Sequence, residues 1–141
     1  MISEQNKAIV RRFYKAFEAN DQDALKELLA PDLIAYNLNP QDRDTHMQGI
    51  RAWHAIFSDN RFEILDQIAE GDMVATHVIL RSIHSIADYQ GIPPSGKQIE
   101  GPAVTLERIV DGKIIERRVY SDRLGMMQQL GLVLSPQPTG Q

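Results

Sequence analysis

Asp122 is the residue whose type and position best suit acid–base chemistry. It stands where the alternating run Arg118-Val119-Tyr120-Ser121 ends and a short apolar run with helical character, 123–130, begins. An aspartate in a pocket, with its pKa tuned by its surroundings, can take a proton from the carbon next to a carbonyl group. The sequence therefore predicts Asp122 as a catalytic acid or base.

The same position also suits a purely structural role for Asp122. Aspartate is among the preferred N-cap residues of helices, where its carboxylate accepts backbone N–H groups and its pKa falls. The catalytic and the capping interpretations both remain open at the level of sequence.

Two neighbours of Asp122 share its side of a regular strand, because side chains two and four residues apart point the same way. Arg118 could stabilise an enolate or hold Asp122 ionised, and Tyr120 could donate a hydrogen bond. Alternatively, Arg118 lies on the surface and pairs with Glu116 or Glu107 across a hairpin. Two further arginines are expected in solvent: Arg117 and Arg123.

Five aromatic residues are candidates for an apolar pocket wall. They are Tyr14, Phe17, Tyr36, Trp53 and Phe57. At helical spacing such residues also form ordinary core, and in a fold that wraps around its pocket the two roles coincide.

The histidines do not predict a metal site. There are four of them, His46, His54, His77 and His84. No pair has the spacing of one helix face, and His77 and His84 are an odd number of residues apart, so they point to opposite faces of one strand. We therefore expect no metal.

Composition excludes several classes of partner. The chain has 141 residues, a net charge of -4 and no cysteine. An acidic chain is a poor ligand for nucleic acid or an anionic membrane, and without cysteine it has neither disulfides nor a thiolate nucleophile. No signal sequence and no run of ~18 apolar residues is found, so neither export nor a membrane span is predicted, and a cytoplasmic location is expected.

The first third of the chain has helical periodicity. We predict one helix capped by Ser3, a second capped by Asp21, and a third that begins with Thr45 and Gln48 as a capping box. Pro31 should stop the second helix at Ala30. A short extended piece, 33–36, separates the second helix from the third.

Strand patterns follow the helices. We predict four strands, which span 62–68, 73–86, 99–110 and 113–121. The Asp111-Gly112 pair predicts a hairpin between the last two. The loop at 91–96, with two glycines and two prolines, cannot continue a strand.

Helices followed by strands indicate an α+β domain, with the helices on one face of an antiparallel sheet. We expect a single domain over residues 1–134 and a mobile tail over 135–141. Both faces of the 73–86 strand are partly apolar, so a partner subunit is expected to cover the free sheet face, giving a homodimer or a tetramer.

Three segments carry a family resemblance, and they span 91–97, 109–116 and 122–131. Through them the chain resembles the SnoaL-like polyketide cyclase (ester cyclase-like) family of the nuclear transport factor 2-like superfamily, from about Asn6 to Leu132. The resemblance implies a cone-shaped, cystatin-like α+β fold, in which a curved antiparallel sheet packs on the N-terminal helices around a deep pocket. It also implies dimers or tetramers that form through the sheet.

The resemblance further implies a chemistry. Enzymes of this family close a polyketide ring by an intramolecular aldol step, with a pocket aspartate as acid and base and without a metal or organic cofactor. That aspartate falls on Asp122, and His84 matches a position where relatives often carry histidine near the pocket mouth, so a binding or proton-transfer role is a candidate. Where many relatives read Glu-His-Trp-Asp-x-Trp-Asp, this chain reads Glu-Arg-Arg-Val-Tyr-Ser-Asp at 116–122.

The leading interpretation is a cofactor-independent enzyme that cyclises or isomerises a small hydrophobic carbonyl compound in an enclosed pocket. One alternative is a non-catalytic small-molecule-binding or oligomeric scaffold protein of the same fold. Another is an epoxide hydrolase-like or dehydratase-like enzyme with an Asp–Arg pair, which requires Arg118 to point inward.

Overall fold

The computed structural model describes residues 2–37 and 39–132. The tail predicted at 135–141 lies outside these residues. The elements in chain order are α1 (Ile2–Ala19), α2 (Gln22–Leu28), β1 (Leu29–Asn37), β2 (Asn39–Gln41), α3 (Arg43–His54), β3 (Phe57–Glu70), β4 (Met73–His84), β5 (Gln98–Val110), β6 (Lys113–Ser121) and α4 (Arg123–Leu130).

The strands form one curved, open sheet in the order β2-β1-β6-β5-β4-β3. All neighbours are antiparallel except β1 and β6. The α+β class is confirmed. Strand β1 lies between the short edge strand β2 and the last strand β6, and it runs parallel to β6. β1 begins at Leu29, so the strand is longer than predicted and α2 ends two residues before Ala30.

The main core lies between α1 and the concave face of the sheet. Its fully buried side chains include Val10, Phe13, Leu25, Leu29 and Ile114. The apolar face predicted for α1 supplies the first two of these and packs against β3 and β4. Helix α1 therefore covers the concave face of the sheet at β3 and β4.

Helix caps agree with prediction at one site and differ at another. Asp21 caps α2, as expected, by accepting the Ala24 N–H at 3.1 Å. The prediction of a capping box at Thr45 was wrong, because Asp42 is the N-cap of α3 and accepts the Thr45 N–H at 2.9 Å. Both aspartate caps stabilise the start of a helix. No helix in the described part of the chain is long and apolar enough to cross a membrane.

Candidate active site

A cavity of about 300 Å³ lies between α1, α3, α4 and the concave face of β4, β5 and β6. Its apolar lining comprises Phe17, Ile50, Trp53, Phe62, Val78, Leu80, Ala103, Val119 and Met126. Its polar lining comprises Tyr14, Gln41, His46, Tyr89, Thr105, Arg117, Ser121 and Arg123. A few polar groups in an apolar cavity are typical of a small-molecule site.

We call the end of the cavity at Arg117 its deep end. A buried ion pair lies there. Arg117 Nε lies 3.0 Å from Glu107 Oε2, and Glu107 is 0% exposed and Arg117 5% exposed. These two atoms lack the alignment of a hydrogen bond, so the contact is a Coulombic pairing of charges. The Arg117 guanidinium also lies over the Phe13 ring, 4.5 Å from its centre. Charge pairing and the aromatic face together hold the guanidinium in place.

Two hydroxyl groups extend the ion pair toward the cavity. Thr105 Oγ1 donates to Glu107 Oε1 at 3.1 Å. The Tyr14 hydroxyl lies 2.5 Å from Thr105 Oγ1. Because the threonine proton is directed to Glu107, the tyrosine must donate to the threonine. Tyr14 and Thr105 thus connect the cavity surface to the buried carboxylate.

His46 completes this end of the site. Its Nε2 lies 3.4 Å from Arg117 Nη1, and its Nδ1 lies 3.3 Å from Gln41 Oε1. A guanidinium can only donate, so Nε2 accepts from it and Nδ1 carries the proton that Gln41 accepts. Burial, and then the charge of Arg117, lower the pKa of His46 to about 3. The imidazole is therefore neutral at physiological pH.

Burial also raises the pKa of the two acidic groups at this end of the cavity. It raises the pKa of Tyr14 to about 12, with the Glu107 charge adding to the effect. Burial raises the pKa of Glu107 as well, against the opposing charge of Arg117. Tyr14 therefore remains a hydrogen-bond donor over the physiological pH range.

A bulge in β6 determines which of its side chains enter the cavity. Ile114 lies opposite Ile109, but Glu116 lies opposite Arg108, so β6 has one extra residue between these pairs. Such a bulge shifts the alternation of side chains by one residue. As a result Ile114 and Arg117 are both buried, and the residues of β6 that line the cavity are Arg117, Val119 and Ser121.

Asp122 lies outside the cavity lining and is exposed. Its Oδ1 accepts the Gly125 N–H at 2.9 Å, which makes Asp122 the N-cap of α4. A Cβ at position 125 would collide with the carboxylate, so this cap requires the glycine. The capping interpretation is confirmed, and catalysis by Asp122 stays a prediction that this placement does not favour.

Arg118 and Tyr120, the two predicted partners of Asp122, lie on the convex face of the sheet. Arg118 Nε donates to Glu116 Oε1 at 3.0 Å, and the guanidinium lies 4.1 Å from the centre of the Tyr36 ring. Tyr120 is 59% exposed. The surface interpretation of Arg118 is confirmed, and Arg118, Tyr36 and Tyr120 are all outside the cavity lining.

The expectation that Arg117 is solvated was wrong, because the bulge turns it inward against Glu107. Sequence reasoning also missed His46, Thr105 and Glu107 as site residues. The sequence held no usable signal for this pair, because a regular hairpin at Asp111-Gly112 places Glu116 opposite Glu107, and only the bulge in β6 brings Arg117 there. An acid opposite a base on adjacent strands can form an ion pair.

The aromatic residues of the predicted wall lie in different places. Tyr14, Phe17 and Trp53 line the cavity. Phe57 lies behind Trp53, with the two rings stacked 4.1 Å apart, and supports the wall without lining it.

His84 is buried beside this wall and does not line the cavity. Its Nε2 donates to the Ala87 carbonyl at 2.8 Å, which anchors the loop after β4. His77 is exposed on the opposite face, as the spacing predicted. Within residues 2–37 and 39–132, no three or more histidine and acidic side chains are grouped so that they could hold a metal ion.

Known proteins are similar to this chain in sequence and in fold. The model of the SnoaL-like polyketide cyclase family matches residues 8–130. Aklanonic acid methyl ester cyclase DnrD of Streptomyces peucetius is 28% identical over 137 residues, which cover 93% of this chain and 92% of the relative. Nogalonic acid methyl ester cyclase of Streptomyces nogalater is 31% identical over 125 residues, which cover 82% of this chain and 90% of the relative.

A solved structure gives the same result. The crystal structure of IdmH from Streptomyces antibioticus superposes with a TM-score of 0.81 at 31% identity, and the match covers 90% of this chain and 99% of that one. Since the family model spans most of its length, this chain belongs to the SnoaL-like polyketide cyclase family.

Proposed function

We propose that this protein catalyses the cyclisation or isomerisation of a small hydrophobic carbonyl compound through an enolate formed in the cavity. Family membership supports the reaction class. The observation that carries the proposal is Arg117, a guanidinium held at the deep end of an apolar cavity by Glu107 and in contact with a neutral histidine. A fixed cation in a site of low dielectric stabilises developing negative charge more strongly than it would in water.

Arg117 and His46 suit two different parts of an enolisation. A substrate carbonyl oxygen that accepts the Arg117 Nη1 proton replaces His46 as acceptor. This leaves the His46 Nε2 lone pair beside the carbon next to that carbonyl. The imidazole takes the proton from this carbon, the electron pair of the C–H bond forms a carbon–carbon double bond, and the π pair of the carbonyl moves onto the oxygen to give an enolate.

The low pKa of free His46 is compatible with this role. One of its two causes is the charge of Arg117, and an enolate beside the guanidinium offsets that charge. The enolate carbon then attacks a second carbonyl of the same molecule, and the new alkoxide takes the proton back from the imidazolium. The product is an isomer of the substrate, so these steps consume no cofactor.

Hydrogen–deuterium exchange tests this chemistry without knowledge of the natural substrate. We would follow loss of the protons next to the carbonyl of 2-tetralone in D2O by NMR, because two fused rings suit a cavity of about 300 Å³. The protein should accelerate exchange, and His46→Gln and Arg117→Gln should each reduce that acceleration by about 10²-fold or more.

Arg118→Gln is the matched control, because Arg118 lies one residue away on the opposite face of β6. It should leave the exchange rate unchanged. Arg117→Gln leaves the buried Glu107 carboxylate without its paired charge, which destabilises the fold. The double variant Arg117→Gln/Glu107→Gln removes both charges and serves as a second test. Full exchange activity in folded His46 and Arg117 variants would overturn the proposal.

Binding without catalysis is the second candidate. It is favoured by one observation: in the described part of the chain, no aspartate or glutamate lines the cavity. Tight binding of the ketone without accelerated exchange would support this function. The epoxide hydrolase-like alternative required an inward Arg118 and is not proposed.

A further inference from the structure

Two glycines line the cavity, Gly49 on the helical wall and Gly101 on the sheet. Gly49 lies in the middle of α3, and Gly101 lies within β5, where it pairs with Leu80 of β4. Inside a helix only proline is less favourable than glycine, and glycine also weakens a strand. Each of these positions therefore lowers the stability of its element.

Local geometry does not require glycine at either position. Neither residue has the positive φ that favours glycine, as Gly71 and Gly112 do. Beyond the turn of helix around it, a Cβ added at Gly49 would meet no atom within 4 Å, and one added at Gly101 would meet only the Leu80 carbonyl oxygen, at 3.9 Å. Gly49 is exposed and Gly101 is half-buried, as expected beside open space. The missing side chains therefore leave space in the cavity that larger residues would fill.

The two glycines lie at different distances from the deep end. His46 and Gly49 share the cavity face of α3, and Gly49 is about one turn, or roughly 4.5 Å, further along the helix. Strand β5 runs from Gly101 to Thr105, which belongs to the hydrogen-bonded groups of the deep end. These two residues are roughly 13 Å apart at the usual rise of a strand. Gly49 thus borders the middle of the cavity and Gly101 its outer end.

Trp53 marks the outer end of both walls. It follows on the cavity face of α3, and its Nε1 donates to Asn60 Oδ1 at 2.8 Å. The same oxygen accepts from Ser82 Oγ at 2.6 Å. Ser82 pairs with Ile99, two residues beyond Gly101 on β5. The helical wall and the sheet wall therefore extend from the deep end in the same direction.

We propose that Gly49 and Gly101 determine the length of the ligand, because they leave the middle and the outer end of the cavity open to a flat, rigid body attached to the reacting carbonyl. This deepens the function proposed above by naming the residues that select the substrate by length. It rests on that function only for the position of the carbonyl at Arg117. Fused rings suit the space, since Phe17 and Trp53 supply aromatic walls and a rigid ligand loses little conformational entropy on binding.

The test is a pair of ketones that differ by one ring. 2-Tetralone has two fused rings, and 3,4-dihydroanthracen-2(1H)-one extends it by a third ring in line. Isothermal titration calorimetry gives both affinities. Trp53, the single tryptophan of the chain, lines the cavity, so a shift of its indole N–H signal in NMR spectra locates binding there.

We expect the wild-type protein to bind the three-ring ketone more tightly than 2-tetralone, because it buries more apolar area. Gly101→Val should weaken binding of the three-ring ketone at least 10-fold more than binding of 2-tetralone, because valine fills only the outer end. Gly49→Leu should weaken binding of both ketones at least 10-fold, because leucine fills the middle of the cavity. Gln48→Leu is the matched control and should change neither affinity, since Gln48 is an exposed residue of α3 outside the cavity lining.

Thermal unfolding distinguishes this role from a structural one. Gly49→Ala should raise Tm by about 2–5 °C, since alanine favours a helix and no packed atom opposes its Cβ. A glycine that the fold required would instead lower Tm when replaced. The inference is overturned by a lower Tm of Gly49→Ala, by wild-type affinity for the three-ring ketone in folded Gly49→Leu and Gly101→Val, or by equal losses for the two ketones in Gly101→Val.

These outcomes are separable from those for the reaction. Calorimetry measures binding alone, whereas exchange of the 2-tetralone protons measures proton transfer. Normal exchange, with unchanged binding of the three-ring ketone in both glycine variants, overturns the inference and spares the reaction. The expected losses of binding, with no exchange in the wild-type protein, overturn the reaction and leave a cavity that selects ligands by length.

Discussion

His46 and Arg117 are both buried and lie 3.4 Å apart, and this makes protonation of His46 costly. The folded-state pKa is about 3, against 6.5 for an ordinary histidine. Below pH 6.5 the histidine is protonated in the unfolded chain but remains neutral in the folded chain. The folded state therefore loses stability relative to the unfolded state as the pH falls from 6.5 towards 3. The full effect is on the order of 5 kcal/mol.

His46→Gln should therefore flatten the dependence of the unfolding free energy on pH between about 6.5 and 4. Urea denaturation at several pH values measures this dependence. His77→Gln is the control substitution, because it also removes a histidine but at a position where the side chain is 44% exposed. Identical slopes for wild type and His46→Gln would contradict the burial of a neutral imidazole.

Asp122 is predicted to contribute to stability as a cap. Asp122→Ala should lower the unfolding free energy by about 0.5–2 kcal/mol, since the Gly125 N–H loses its acceptor. Asp122→Asn should cost much less, because asparagine caps about as well. Equal losses from both variants would indicate that the charge of Asp122, rather than its hydrogen bond, matters.

At the scale of elements, Asn60 joins the cavity wall to the sheet. Its Oδ1 accepts from Trp53 Nε1 at 2.8 Å and from Ser82 Oγ at 2.6 Å. Its Nδ2 donates to His54 Nδ1 at 3.2 Å, and His54 Nε2 donates to the Phe17 carbonyl at 2.6 Å. This network fixes Trp53 and the end of α1, both of which border the cavity.

Asn60→Ala should cost about 2–4 kcal/mol, because several buried hydrogen bonds are lost together. It should also lower the fluorescence anisotropy of Trp53, whose indole N–H loses its acceptor. Urea denaturation and anisotropy measure the two effects. Asn39→Ala, at an exposed position of β2, should change stability by no more than about 0.5 kcal/mol. An unchanged anisotropy in folded Asn60→Ala would show that the wall does not depend on this network.

Bulges explain why the elements were easier to predict than the site. The hairpin of β5 and β6 follows directly from Asp111-Gly112, because that pair favours a tight turn. Which face of β6 meets the cavity depends on the bulge between Ile114 and Glu116, and strand periodicity has no signal for an inserted residue. The assumption of regular alternation along β6 therefore selected Arg118 and Asp122 as site residues and missed Arg117.

At the scale of the whole molecule, the order of helices and strands predicted the α+β class. The parallel pairing of β1 with β6 was not predictable from local pattern, since it joins segments far apart in the chain. For the same reason, the contact of His46 with Arg117 emerges only when α3 packs over the sheet.

Association through the convex sheet face stays a prediction. That face exposes Ile34, Ile68, Val104 and Tyr120, and exposed apolar patches mark interaction sites. Sedimentation should show a dimer or tetramer that Tyr120→Arg weakens. Leu124→Arg, at an exposed position on α4, should not weaken it. A wild-type protein that sediments as a monomer would contradict the prediction.

The most direct test of the central claim compares Arg117→Gln with Asp122→Asn in the exchange of 2-tetralone protons. If the chemistry occurs at the deep end of the cavity, Arg117→Gln loses about 10²-fold or more of the protein-dependent rate and Asp122→Asn retains it. Loss of the rate in Asp122→Asn, with the rate of Arg117→Gln unaffected, would contradict the account. It would indicate that the chemistry occurs at Asp122, at the end of β6.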